Sequence, residues 1–68
     1  MKFKKGDIVR IVKLYEDIFS TDAEERVHKR LLGREFEIDE VRDDWEFPYS
    51  LRGEMLWNWN EDNLELVK

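Results

Sequence analysis

The fold is decided near the end of the chain, by the stretch Leu56-Trp57-Asn58-Trp59-Asn60-Glu61-Asp62-Asn63-Leu64-Glu65-Leu66-Val67. This pattern predicts a strand, a polar turn able to form one helical turn, and a short closing strand. Residues 3–12 predict the opening strand, because Val9 and Ile11 alternate with the polar Arg10 in the two-residue period of a half-buried strand. The two ends are therefore expected to bracket a small mainly-β barrel.

A short helix is predicted over residues 21–32, between the first two strands. The alternative is an irregular loop with one helical turn, because isolated helices this short are marginal without tertiary support. Thr21 and Glu24 have the spacing of a capping box, with acids at the start and bases at the end, as the helix dipole favours. An apolar stripe recurs every four residues and predicts the face that packs on the core. The stripe consists of Ala23, Val27 and Leu31.

The remaining strands follow from local signals. Phe36 and Ile38 alternate with acids, and the break in phase at Asp39-Glu40 predicts a β-bulge. Pro48 opens the next strand, where a missing amide does least harm. Arg52-Gly53 predicts a tight turn into the Trp-rich strand, which completes five short strands.

Composition places the chain in one domain, residues 1–68, too small to bury a large core. It has no Cys, so neither disulfides nor thiolate metal sites are available, while three Trp, four Phe and two Tyr supply ring packing. Absence of Cys is typical of a reducing compartment. Because no apolar run resembles a signal core or a membrane span, we predict a soluble, cytoplasmic protein without a membrane partner.

Charge is divided unevenly between the two halves of the chain. Residues 1–34 hold nine Lys/Arg and six Asp/Glu, a net of +3, whereas residues 35–68 hold three and eleven, a net of −8. An acidic chain is not expected to bind nucleic acid in general, because phosphate contacts need Lys and Arg. The alternatives are a nucleic-acid-associated module that uses a local basic patch, or an acidic mimic of nucleic acid. The patch would consist of Lys2, Lys4, Lys5, Arg10 and Lys13.

The inventory for catalysis is thin, so we predict a non-enzyme without cofactor or metal. The chain has one His and three Gly, and it lacks both a recognisable Ser/His/Asp spacing and a glycine-rich phosphate loop. His28, in the cationic end of the predicted helix, is expected to face solvent, with a general base as the alternative. The acids at 39–46 do not match a calcium loop.

The order and spacing of these elements resemble SH3-like small barrels, and more closely the small uncharacterised SH3-like proteins of bacteriophages and prophages. The matching segments are Phe3 to Val12, Leu32 to Ile38, Pro48 to Leu51 and Trp59 to Val67. The resemblance implies a fold. It does not carry over the polyproline groove of eukaryotic SH3 domains, because the turn at residues 60–63 has neither the Pro nor the Tyr of that groove.

Aromatic residues of the C-terminal half are the best candidate site. They are too bulky to be enclosed together in so small a barrel, so Trp45 and at least one of Trp57 or Trp59 should be partly exposed. Exposed rings beside polar residues are enriched at recognition surfaces. We therefore predict a binding module for a protein partner. Its predicted contact residues are Tyr15, Trp45, Tyr49 and Trp57, rimmed by Asp43, Asp44 and Glu46.

Overall fold

A computed structural model of the chain describes residues 2–15 and 21–68. The described elements, in chain order, are β1 (Ile8–Ile11), α1 (Asp22–Lys29), β2 (Glu35–Val41), β3 (Tyr49–Leu51), β4 (Glu54–Trp59), a 3₁₀ helix (Glu61–Asn63) and β5 (Leu64–Leu66). The prediction of a mainly-β chain with a short helix between its first two strands is confirmed.

The five strands form one antiparallel sheet in the order β4-β3-β2-β1-β5. The first and last strands pair, with Val9 opposite Leu66. Among the described residues β4 and β5 are joined by the 3₁₀ helix and do not pair, so the sheet is open, not a closed barrel. β2 pairs with β1 through its first half and with β3 through its second, and its register shifts between Ile38 and Glu40, at the predicted bulge.

The core lies on one face of this curved sheet. Val9 and Ile11 are fully buried while Arg10 between them is half-exposed, which confirms the alternation expected of β1. The buried apolar side chains are Phe3, Val9, Ile11, Leu31, Ile38, Tyr49, Leu51, Trp59 and Leu64. Three of these nine core side chains are therefore aromatic.

Helix α1 begins as predicted but turns a different face to the core. The Thr21 side chain accepts a hydrogen bond from the Glu24 amide at 3.1 Å, and the helix ends at Lys29. The expected stripe is wrong in part: Leu31 is buried, but Ala23 is exposed and Val27 is 39% exposed. His28 is the buried residue of α1. Its ring packs against the rings of Tyr15, Trp57 and Trp59.

The 3₁₀ helix fixes the segment that follows β1. The Asn60 side chain caps it by accepting from the Asp62 amide at 3.0 Å. Asn63 is buried and donates from its side chain to the Lys13 carbonyl at 2.8 Å. This contact holds the chain two residues before Tyr15.

Strand β4 carries a wide irregularity. Trp59 lies opposite Tyr49 and Glu54 lies opposite Leu51, so five steps along β4 match two steps along β3. The additional residues bulge outward: Met55 is 91% and Leu56 69% exposed. The alternation of the sequence predicts that Met55, Trp57 and Trp59 share one face of the strand, and this is wrong, because Met55 is exposed whereas Trp59 is buried.

The turn between β3 and β4 depends on Gly53, whose φ is +89°. We expect Gly53→Ala to lower the free energy of unfolding by about 1–2 kcal/mol, because an L side chain is strained in the left-handed region. Open space surrounds the position, so the loss comes from the backbone alone. Gly53→Asn should lose less, since Asn tolerates that region. Urea unfolding measures both; an Ala variant as stable as wild type would contradict the assignment.

Candidate partner-binding groove

Exposed and half-buried aromatic residues meet in one groove of about 420 Å³. Three parts of the chain contribute: the segment after β1, the loop between β2 and β3, and β4. Trp45 is 47% and Phe47 38% exposed. The residues that line the groove are Tyr15, Trp45, Glu46, Phe47, Leu56, Trp57 and Asn58. We call this the aromatic groove.

Tyr15 is a fixed wall of the aromatic groove. Its hydroxyl donates to the backbone carbonyl of Asn58, and its backbone amide donates to His28 Nε2 at 2.9 Å. Its ring stacks on Trp59, with centroids 5.3 Å apart, and meets the edge of Phe47 at 5.2 Å. Burial raises the pKa of Tyr15, and the Glu54 carboxylate adds to this, so the hydroxyl stays protonated and continues to donate.

His28 supports that wall from behind. It is 1% exposed and its ring is stacked nearly parallel on Trp59 and Tyr15, with Trp57 edge-on at 4.6 Å. Burial lowers the pKa of His28, and the Glu54 carboxylate opposes part of this. Because Nε2 accepts from an amide, the imidazole is neutral with its proton on Nδ1. The expectation of a solvent-facing helix residue is therefore wrong.

Glu54 does not line the aromatic groove but bonds to the backbone of two residues that do, Leu56 and Trp57. Its carboxylate is buried and accepts from the Trp59 indole N–H at 2.9 Å, from the Leu56 amide at 2.9 Å and from the Trp57 amide at 3.4 Å. These bonds satisfy the amides of the bulge and turn Leu56 and Trp57 outward. Glu54 was not predicted from the sequence to belong to the site. The signal available was an acid inside a strand whose buried Trp must find an acceptor.

The loop that carries Trp45 is held at both ends. The Arg42 guanidinium lies 4.6 Å from the Trp45 ring centroid and also pairs with Glu40 at 2.7 Å. The Asn60 side chain donates to the Glu46 carbonyl at 3.2 Å. Trp45 is thus exposed to solvent yet supported on one side by a cation.

The structure brings together four of the residues predicted for partner binding: Tyr15, Trp45, Glu46 and Trp57. The predicted exposure of Trp45 and of one further Trp is confirmed, since Trp57 is half-buried and Trp59 is sealed. Phe47, Leu56 and Asn58 were not predicted to belong. Phe47 lies two residues after Trp45, so in an extended chain both side chains point to the same face. Leu56 lies in the part of β4 that bulges outward, and a regular strand pattern does not predict that bulge.

Three predicted contact residues lie elsewhere. Tyr49 is fully buried: its hydroxyl accepts from the Phe3 amide and donates to the Glu61 carboxylate, both at 3.2 Å. Burial raises the pKa of Tyr49, opposed by the hydrogen bond from Phe3. Tyr49 is therefore a core residue and offers no surface to a partner. Asp43 lines a separate depression, and Asp44 is exposed but does not line the aromatic groove.

The basic residues of the alternative patch are distributed among acids. Arg10 pairs with Glu35 at 2.7 Å and with Glu65 at 3.9 Å. Lys4 and Lys5 line a depression together with the acids Glu40 and Asp43. Lys13 lines another depression with Asp62, and the Lys2 ammonium lies 5.5 Å from the centroid of Phe3. These contacts do not gather the five cations on one surface.

Within residues 2–15 and 21–68, no three His, Cys, Asp or Glu side chains are grouped to hold a metal ion. In the same part of the chain no helix has the length and apolar character to cross a membrane. Comparison with protein families, curated proteins and solved structures gives no match to this chain.

We expect stability to fall on mild acidification through His28, the single histidine of the chain. Its pKa is lower in the folded state, so the unfolded chain takes up the proton first as the pH drops. The stabilisation is present in full above the unfolded pKa of about 6.5 and is lost as the pH falls through the folded pKa. Each unit by which the folded pKa lies below the unfolded pKa corresponds to a loss of about 1.4 kcal/mol in the free energy of unfolding.

This expectation is checked by urea unfolding between about pH 8 and pH 5, alongside an NMR titration of the imidazole. His28→Gln removes the titrating ring and should flatten the profile, even if that variant is less stable at every pH. Wild-type stability that is independent of pH in this interval would refute the assignment.

Loss of the Glu54 carboxylate should loosen both the core and the groove. We expect Glu54→Ala to lower the free energy of unfolding by at least about 2 kcal/mol, because buried donors left without an acceptor cost about 1–3 kcal/mol each. Glu54→Gln should cost less, since the amide oxygen still accepts. Near-UV circular dichroism and urea unfolding report both effects.

The matched control is Glu65→Gln, whose carboxylate is 61% exposed beside Arg10. It should change stability by no more than about 0.5 kcal/mol. If Glu54→Gln and Glu65→Gln lower the free energy of unfolding equally, the buried carboxylate of Glu54 contributes no more to stability than an exposed one.

Proposed function

We propose that this chain is a non-catalytic binding module and that it docks a protein partner in the aromatic groove. The observation that supports this most is the exposure of Trp45, Phe47 and Leu56 around one depression. In a chain this small, large apolar side chains are the main resource for a core, so their placement on the surface has a cost. Contiguous exposed apolar surface is typical of interaction sites.

Preorganisation of the rings supports the same proposal. Tyr15 is held by two hydrogen bonds, the Trp57 ring by its edge-on contact with His28, and Trp45 lies beside Arg42. Rings that are already fixed lose little conformational entropy when a partner arrives, which favours affinity. Trp and Tyr are also the residues that most often dominate interface energetics.

We also propose that the domain is SH3-like, as its resemblance implies. The pairing of the first strand with the last and the helical turn before β5 support this, although the sheet stays open between β4 and β5. The proposed site uses Tyr15 from the long connection after β1, the region where SH3 domains place part of their peptide groove. Neither Pro nor Tyr is present in the 3₁₀ turn, so we do not propose polyproline recognition.

Nucleic-acid binding remains the weaker alternative. Arg10 is paired with carboxylates, and Lys4 and Lys5 share their depression with Glu40 and Asp43. These acids would oppose a phosphate backbone. A charge mimic would need a continuous acidic surface, whereas the exposed Trp45 separates Asp43-Asp44 from Glu46 along the chain and Asp43 lines a different depression.

The proposal is tested by affinity capture from a cell lysate on immobilised wild type and on Trp45→Ala. We expect at least one protein to be retained by wild type, and its affinity, measured with purified protein, to fall about 30-fold or more in Trp45→Ala, as for a Trp at an interface centre. Leu66→Ala is the matched control, because Leu66 is 53% exposed on β5 and does not line the groove.

Equal retention by wild type and Trp45→Ala would contradict this site. A labelled oligonucleotide that bound at low ionic strength, and was released by salt, would favour the nucleic-acid alternative instead.

A further inference from the structure

A second groove lies across the ridge formed by Leu56 and Trp57. It has a volume of about 400 Å³ and runs between β4 and the helix α1. Its lining residues are Ala23, Glu24, Val27, Leu56 and Trp57. Leu56 and Trp57 also line the aromatic groove, so the two grooves meet along this ridge. We call the second one the helix groove.

The helix groove accounts for apolar residues of α1 that do not enter the core. Ala23 and Val27 have the spacing of a buried helical stripe, yet Val27 is 39% exposed and Ala23 is exposed. In the structure they form one wall of the helix groove, and the bulge of β4 forms the other. An amphipathic face left open to solvent beside an exposed Leu indicates a surface that a partner covers.

The charged side chains among the described residues that line the two grooves are acidic. Among the described residues that line them, the charged ones are Glu24 in the helix groove and Glu46 in the aromatic groove. Each lies in a segment that carries further acids: Asp22 and Glu25 lie within two residues of Glu24 in the first turn of α1, where Glu25 pairs with Lys29 at 3.2 Å, and Asp43-Asp44 precede Glu46. Arg42, the cation beside Trp45, is already paired with Glu40 at 2.7 Å.

We infer that the partner presents a cationic peptide segment that crosses the Leu56-Trp57 ridge. Its apolar side chains fill the two grooves, and its Lys or Arg residues reach Glu24 on one side and Glu46 on the other. Each groove lies within the usual range of about 300–1,000 Å³ for ligand sites, and a ridge between two depressions suits a narrow segment better than a flat surface. This inference rests on the proposed function and adds the chemistry of the partner.

The probe is a library of random 16-residue peptides displayed on phage, selected on immobilised wild-type protein. We expect the selected peptides to be enriched in Lys and Arg on both sides of large apolar residues. Synthetic copies should bind more weakly as salt rises, because exposed charge pairs are screened. Affinity should fall about threefold to tenfold in Glu24→Gln and in Glu46→Gln, and further in the double variant.

Glu65→Gln, which alters an acid outside both grooves, is the matched control and should leave affinity unchanged. Folding of Glu24→Gln is expected to be preserved, because its backbone amide still donates to Thr21 and Gln is also suited to this capping position. Circular dichroism and thermal unfolding verify this for each variant.

The outcomes separate the two levels of the proposal. Peptides that need Trp45 but show no enrichment in Lys or Arg, or that bind Glu24→Gln as tightly as wild type, would overturn the cationic, ridge-crossing partner and leave the aromatic groove standing. If selection on wild type yields no more binding peptides than selection on Trp45→Ala, the cationic partner and the aromatic groove are both overturned. Enrichment in Lys and Arg, together with weaker binding to Glu24→Gln and to Glu46→Gln, supports the cationic partner and the aromatic groove.

Discussion

The buried carboxylate of Glu54 is the contact on which the shape of the surface depends. It bonds the indole of Trp59 in the core and the amides of Leu56 and Trp57 at the surface. A buried carboxylate is costly unless several donors surround it, and here the donors come from its own strand. One side chain therefore joins the packing of the core to the direction in which the ridge points.

A stack of aromatic rings connects β4 to the helix α1. His28 packs on Trp59 and Tyr15, and Trp57 meets it edge-on, so the helix, the segment after β1 and β4 contact one another through aromatic faces. Ring pairs contribute about 0.5–1.5 kcal/mol beyond the area they bury. In a chain without disulfides, such packing can take the place of a larger aliphatic core.

Much of the architecture was predictable because its signals are local. The alternation of Val9 and Ile11, the turn at Gly53 and the bulge after Ile38 are each encoded within a few residues. The candidate site was predictable only in part. Tyr15, Trp45 and Trp57 were identified by residue type, but Tyr49 proved to be central to the core and His28 to be buried, since burial depends on neighbours distant in sequence. The expected closure into a barrel was wrong for a related reason: β4 and β5 lie at opposite edges of the described sheet, and whether two strands distant from each other in the sheet pair is not encoded in a local pattern.

The course of β4 also determines which of its main-chain groups could pair with another strand. An open sheet presents strand edges whose unpaired amides can template another chain. In β4 the carboxylate of Glu54 occupies the amides of Leu56 and Trp57 and the hydroxyl of Tyr15 occupies the carbonyl of Asn58, so main-chain groups that an incoming strand would need are already engaged. The residues that display the apolar ridge thus also engage part of the strand edge at which another chain could pair.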